Sequence, residues 1–193
     1  QQDILIHDED EAKHKLLSLL KDSVSIHMRS DVEIAICLSG GIDSSSLSSL
    51  IATQFPSQKF KSYSIYFEGK NEVDERPFIN EVIQRYPSII PSYYQPSHSE
   101  MLDRFHSIMH QVDVPSTGSS NFSHSYLIEK IHADGIKVVI DGQGADEYLA
   151  GYMHSIYRNN ADSIRNLQIG EFLTSSNSVR KYQHQGMTDV LSS

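Results

Sequence analysis

The chain has 193 residues and a mass of 21.8 kDa, enough for one domain with a real core, at most one and a half. Hydrophobic residues make up 38% and charged residues 21%, which excludes disorder and collagen-like fibres. The formal charge of −9 argues against nucleic acid as a partner, and no apolar run approaches the ~20 residues needed to cross a bilayer.

A single cysteine, Cys37, leaves no intrachain disulfide framework and fits a reducing, cytoplasmic compartment. The first residue is Gln rather than Met, so the chain is expected to be cut from something longer. Residues 8–29 read as one helix, with Leu16, Leu17, Leu19, Leu20, Val24 and Met28 at helical spacing and acids from Asp8 to Glu11 in the first turn. Residues 33–38 form a short apolar run, read as a buried strand, which Ser39-Gly-Gly41 ends; a helix is expected over 44–55. Residues 61–67 are a second strand and 72–86 a helix. Residues 89–94 are a weaker strand interrupted by Pro91. Helices over 100–112 and 122–133 flank a Ser/Gly/Pro loop. Residues 135–140 carry the strongest strand pattern; Asp141-Gly-Gln-Gly144 follows, and a helix opens near Asp146. Beyond residue 155 only polar, helix-compatible stretches remain. His106 and His110 lie four apart on a predicted helix and read as solvent-facing.

Strands alternating with helical crossovers predict an α/β domain, a parallel twisted sheet with helices on both faces. In such sheets ligands bind beyond the carboxyl ends of the strands. Ser39-Gly-Gly-Ile-Asp-Ser-Ser45 lies at one such end, Ile65-Tyr66 at a second and Asp141-Gly-Gln-Gly-Ala-Asp-Glu147 at a third. Gly40 and Gly41 permit a tight turn whose backbone N–H groups converge on phosphate oxygens. Ser39, Ser44 and Ser45 add hydroxyls at a helix N-terminus, where the dipole favours an anion. Asp43 would repel a phosphate unless a metal bridges them, which points to Mg²⁺. Asp43 and Asp146 form a candidate metal pair. The alternative for each loop is a glycine turn leading into an ordinary helix cap.

The first loop resembles the pyrophosphate loop of N-type ATP pyrophosphatases. Asp22-Ser-Val and Arg29-Ser-Asp-Val, leading into Leu38-Ser-Gly-Gly, resemble the opening of the synthetase domain of glutamine-hydrolysing asparagine synthetases. The run Gly135-Ile-Lys-Val-Val-Ile-Asp-Gly-Gln-Gly-Ala-Asp-Glu-Tyr-Leu-Ala-Gly-Tyr152 is similar to that family's second signature. The match covers about residues 10–158. It implies an adenine nucleotide alpha hydrolase-like, Rossmann-like fold, with residues 1–158 as the nucleotide-binding core and 159–193 as the start of a truncated helical part. It further implies an enzyme, a ligase that uses ATP and Mg²⁺ to adenylate a small carboxylic acid, chiefly the aspartate side chain. Ammonia from a glutaminase domain of the same parent then yields asparagine. Leu38, Ile65, Asp141 and Gly142 fall at adenosine positions, and Ser39, Gly40, Gly41, Asp43, Ser44 and Ser45 on the pyrophosphate loop. Asp43 and Asp146 match the metal carboxylates; Gln143, Asp146 and Glu147 are the catalytic candidates. A homodimer is possible.

Gln143 departs from the Glu of several members, and Gln can serve neither as a carboxylate base nor as a charged ligand. The run also resembles members with Gly-Gln-Gly, which would make Gln143 the mark of a subfamily rather than of a dead site. Residues 116–122 hold no Arg where some members place one near the acyl substrate. Two alternatives follow: a non-catalytic ATP/Mg²⁺-binding or regulatory module, or the same chemistry on another acceptor, as in β-lactam synthetases or sugar-acid amidation. A tRNA-thiolating relative fits poorly with one cysteine and an acidic surface.

Overall fold

The computed structural model describes residues 8–67, 74–112, 120–149, 151–170 and 172–177. The chain divides into two compact units, Gln1–Gly142 and Gln143–Ser193. Among the described residues the first holds, in order, α1 (Glu9–His27), β1 (Ile34–Cys37), α2 (Ile42–Gln54), β2 (Phe60–Ile65), α3 (Arg76–Arg85), β3 (Ile89–Tyr94), α4 (His98–Val112), α5 (Ser120–Ala133) and β4 (Val138–Ile140). The second holds α6 (Ala145–Leu149) and α7 (Met153–Arg165).

The strands form one sheet in the order β3-β2-β1-β4, every neighbouring pair parallel. Period-two alternation along β1 sends its side chains to opposite faces. Ala35 joins Tyr63, Leu127, Ile131 and Ile136 in a core under α5, while Ile36 joins Val24, Ile51 and Phe60 under α1 and α2. Both faces are therefore covered by helices, as a parallel sheet requires. Ala35, Ile36 and Tyr63 are fully buried.

Several boundaries have local causes. Asp8 caps α1, its Oδ1 accepting from the Glu11 amide at 2.8 Å, so the acidic run is a solvated helix start. The apolar run at 135–140 yields only three strand residues. Its first residues close α5 instead: the Gly135 amide donates to His132 O, the Ile136 amide to Ile131 O, and Gly135 takes φ +78°. Pro91 does not interrupt β3, which runs unbroken from Ile89 to Tyr94. It is tolerated because β3 lies at the sheet edge, where one row of backbone groups has no strand to pair with. His110 is exposed, whereas the His106 side chain lies outside the described residues. Among the described residues no helix is long and apolar enough to cross a membrane.

Candidate functional site

The strand order fixes where a site can form. The chain steps from β1 outward to β2 and β3, then returns to the other side of β1 with β4. The reversal lies between β1 and β4, and crevices open beyond the carboxyl ends at such points. Register pairs Ile36 with Ile140, so Leu38-Ser39 and Asp141-Gly142 leave the sheet side by side. The two runs meet there. A Cβ built on Gly142 would lie 2.9 Å from the Ser44 amide nitrogen and 3.2 Å from Asp43 Cβ. Only glycine lets the second run approach the start of α2 this closely.

The first loop is held by its own hydroxyls. Ser44 Oγ accepts from the Ser39 amide at 3.1 Å and lies 2.9 Å from Ser39 Oγ. Ser48 Oγ donates back to Ser44 O, and Ser64 Oγ donates to Leu38 O at 2.6 Å. Leu38 is buried and its amide donates to Tyr63 O. Gly40 takes φ +85°, and a Cβ there would meet Glu75 O at 3.0 Å. Helix α2 begins at Ile42 rather than Ser44, with Gly41 as N-cap and no side-chain cap. The amides of Ile42, Asp43 and Ser44 therefore have no acceptor within the helix. Ser45 Oγ is buried and makes no hydrogen bond. Amides with no acceptor inside the helix, an orphaned hydroxyl and a glycine-lined approach fit a phosphate chain, and the Asp43 carboxylate beside them fits the cation such a chain carries.

Two contributors were not legible as site residues. His124, on α5, places Nε2 3.3 Å from Asp141 Oδ2; nothing in its sequence surroundings distinguishes it from the other scattered histidines. The run 74–76 abuts Gly40. Asp74 accepts from the Arg76 guanidinium at 2.7–3.0 Å, which holds its carboxyl below the usual range, and Arg76 stacks 4.2 Å over the Tyr66 ring. Partial burial raises Glu75. The available signal was Asp-Glu-Arg-Pro after a strand end; the helical pattern expected from residue 72 absorbed it. Ile65, at the end of β2, packs against the core under α5. Cys37 is half-buried, and that burial, with the nearby Asp141 charge second, pushes its thiol up to about 12, which disfavours the nucleophilic thiolate.

In the second unit, Tyr152 Oη donates to Glu147 Oε1 at 2.9 Å, and the Gly151 amide donates to Asp146 O at 3.1 Å. Asp146 and Glu147 occupy the first turn of α6, and Gln143 precedes it. Asp43 belongs to the first unit and Asp146 to the second. Residues 116–119, part of the segment expected near the acyl substrate, lie outside the described residues. No group of three or more metal-ligating side chains occurs among the described residues.

Comparison with known proteins gives the family. The asparagine synthase family model matches residues 15–191. A putative glutamine-hydrolysing asparagine synthetase of Methanocaldococcus jannaschii is 33% identical over 164 residues, covering 84% of this chain and 31% of that one. Glutamine-hydrolysing asparagine synthetase 1 of Bacillus subtilis is 32% identical over 155 residues, covering 78% and 23%. Amidase chyE of Penicillium rubens is 30% identical over 166 residues, covering 78% and 24%. The chain thus spans less than a third of the length of these relatives. With the family model matching nearly its whole length, the chain belongs to the asparagine synthase family.

Proposed function

We propose that this chain is the nucleotide-binding core of an ATP-dependent amide synthetase. The observation that carries the reading is the close approach of Gly142 to the start of α2 at the point where strand order reverses. Leu38, Ile65, Asp141 and Gly142 would hold adenosine, largely through backbone groups. Ser39, Gly40, Gly41, Ser44 and Ser45 would hold the β- and γ-phosphates through amides and hydroxyls. Mg²⁺ would neutralise charge on the phosphates; Asp43 is its proposed carboxylate in the first unit, and Asp146 the other on the motif match alone.

The substrate carboxylate attacks the α-phosphorus of ATP, and pyrophosphate leaves into the loop. Ammonia then displaces AMP from the acyl adenylate and forms the amide. Neither step needs a covalent enzyme intermediate, so amides, hydroxyls and carboxylates suffice to orient reactants and offset developing charge. That suits a loop whose one nearby thiol is held in its uncharged form. Gln143, Asp146 and Glu147 are proposed to act at the acyl-transfer side. Gln143 would serve there as a hydrogen-bonding amide, since it cannot be a base. The acceptor we propose is the aspartate side chain, with ammonia from a glutaminase domain of the same cytoplasmic parent. Residues 1–158 are the proposed core, and 159–193 the start of its helical continuation.

A second reading keeps the adenylation and changes the acceptor. The Arg-free run 116–122 favours it. Pyrophosphate release by the full-length parent, assayed with ATP and a panel of carboxylic acids, separates them. Release with aspartate supports asparagine synthesis; release with another acid alone supports the second reading. No release with any acid contradicts both and leaves a non-catalytic nucleotide module.

A further inference from the structure

We propose that Gly151 is a positioning residue for Asp146, holding open the space that the Asp146 carboxylate occupies; this rests on the reading of Asp146 as a metal carboxylate. A Cβ built on Gly151 would overlap Asp146 Oδ1 and lie 2.9 Å from its Cγ and 3.4 Å from its Cβ. The carboxylate therefore lies over the Gly151 backbone, where any other residue would put its own side chain. The same glycine donates its amide to Asp146 O at 3.1 Å, which closes the turn after α6 and fixes the two residues against each other. The atoms in the way are the end of one short side chain. Alanine at 151 leaves the backbone intact and turns the carboxylate aside.

The neighbouring acid is held differently. Glu147 accepts from the Tyr152 hydroxyl at 2.9 Å, and the Tyr152 ring stacks on His154 at 5.3 Å. The turn at 151–152 thus directs Asp146 by leaving room and Glu147 by a hydrogen bond. A group that sets the direction of a ligand carboxylate controls metal affinity without touching the metal. Gly170, in the same unit, offers a control, since a Cβ there meets nothing within 4 Å.

The test uses the 193-residue chain and Mn²⁺ as the probe. Mn²⁺ binding in the presence of ATP is followed by water-proton relaxation, and metal-free ATP binding and thermal unfolding are measured beside it. Gly151→Ala should weaken Mn²⁺ at least tenfold with metal-free ATP affinity and melting unchanged, and Gly170→Ala should match the native chain. Native Mn²⁺ affinity in Gly151→Ala would overturn the inference while leaving the nucleotide reading in place. Native affinity in Asp146→Ala would instead overturn the assignment of Asp146 on which the inference rests. Should Gly151→Ala melt markedly lower, the comparison moves to the Asp146→Ala background, where the obstructing carboxylate is gone. Loss of the defect there supports the inference, and an equal defect overturns it.

Discussion

A single methyl group separates glycine from alanine, and that is the least any substitution at the glycines of this site would add. Gly142→Ala would drive that methyl to 2.9 Å from the Ser44 amide and force the two loops apart. Gly40→Ala would combine a strained left-handed backbone with a 3.0 Å contact to Glu75 O. Gly41 has neither problem, because its Cβ would meet only Ser39 Oγ at 3.4 Å. ATP affinity, measured by calorimetry, is predicted to fall at least tenfold for Gly142→Ala and Gly40→Ala and less than threefold for Gly41→Ala. Cys37 gives a pH prediction. Its folded-state value near 12 lies above the ordinary 9.0, so the thiol's contribution is fully present below pH 9 and is lost as pH rises toward 12. Iodoacetamide should accordingly react far more slowly with the native chain at pH 8 than with the urea-unfolded chain. Equal rates would contradict the half-buried, uncharged thiol. The site glycines were legible as residues that permit close approach, but which one the opposite loop would touch depended on strand order. His124 was not legible, because its meaning comes from Asp141, seventeen residues away in the chain.

The central strand sets the stability of the elements around it. Ile36 is fully buried between α1, α2 and β2, so Ile36→Ala is predicted to cost about 2–5 kcal/mol in urea unfolding. A cost under ~1 kcal/mol would contradict the assignment of that core. Helix α2 shows why some elements read more clearly than others. Its buried face carries Ser44 and Ser48 beside Ile51 and Ala52. Ser48 satisfies its hydroxyl on the Ser44 carbonyl, so a polar residue packs where the pattern would ask for an apolar one. The apolar strand β1 and the β-forming run of Phe60, Tyr63 and Ile65 in β2 were readable from the sequence. The shortening of β4 was not, since residues that look like strand are spent closing α5.

At the scale of the molecule, β1 to β4 and the two cores seen among the described residues lie within Gln1–Gly142. A chain ending at Gly142 is therefore predicted to unfold cooperatively in urea, with a midpoint close to that of the 193-residue chain; a non-cooperative transition would contradict this. Fold class and family were legible because two motifs fall at strand ends whose positions alternation predicts. Strand order, and with it the location of the crevice, needed the structure: four parallel strands admit several arrangements, and local pattern does not choose among them. The central claim is that the first loop binds the phosphates of ATP with a cation on Asp43. Calorimetric titration of the chain with ATP, with and without Mg²⁺, beside Asp43→Ala, tests it most directly. The account predicts binding that Mg²⁺ strengthens at least tenfold and an Asp43→Ala chain in which that gain is lost. Mg²⁺-strengthened binding that survives Asp43→Ala, or no binding at millimolar ATP, would contradict it.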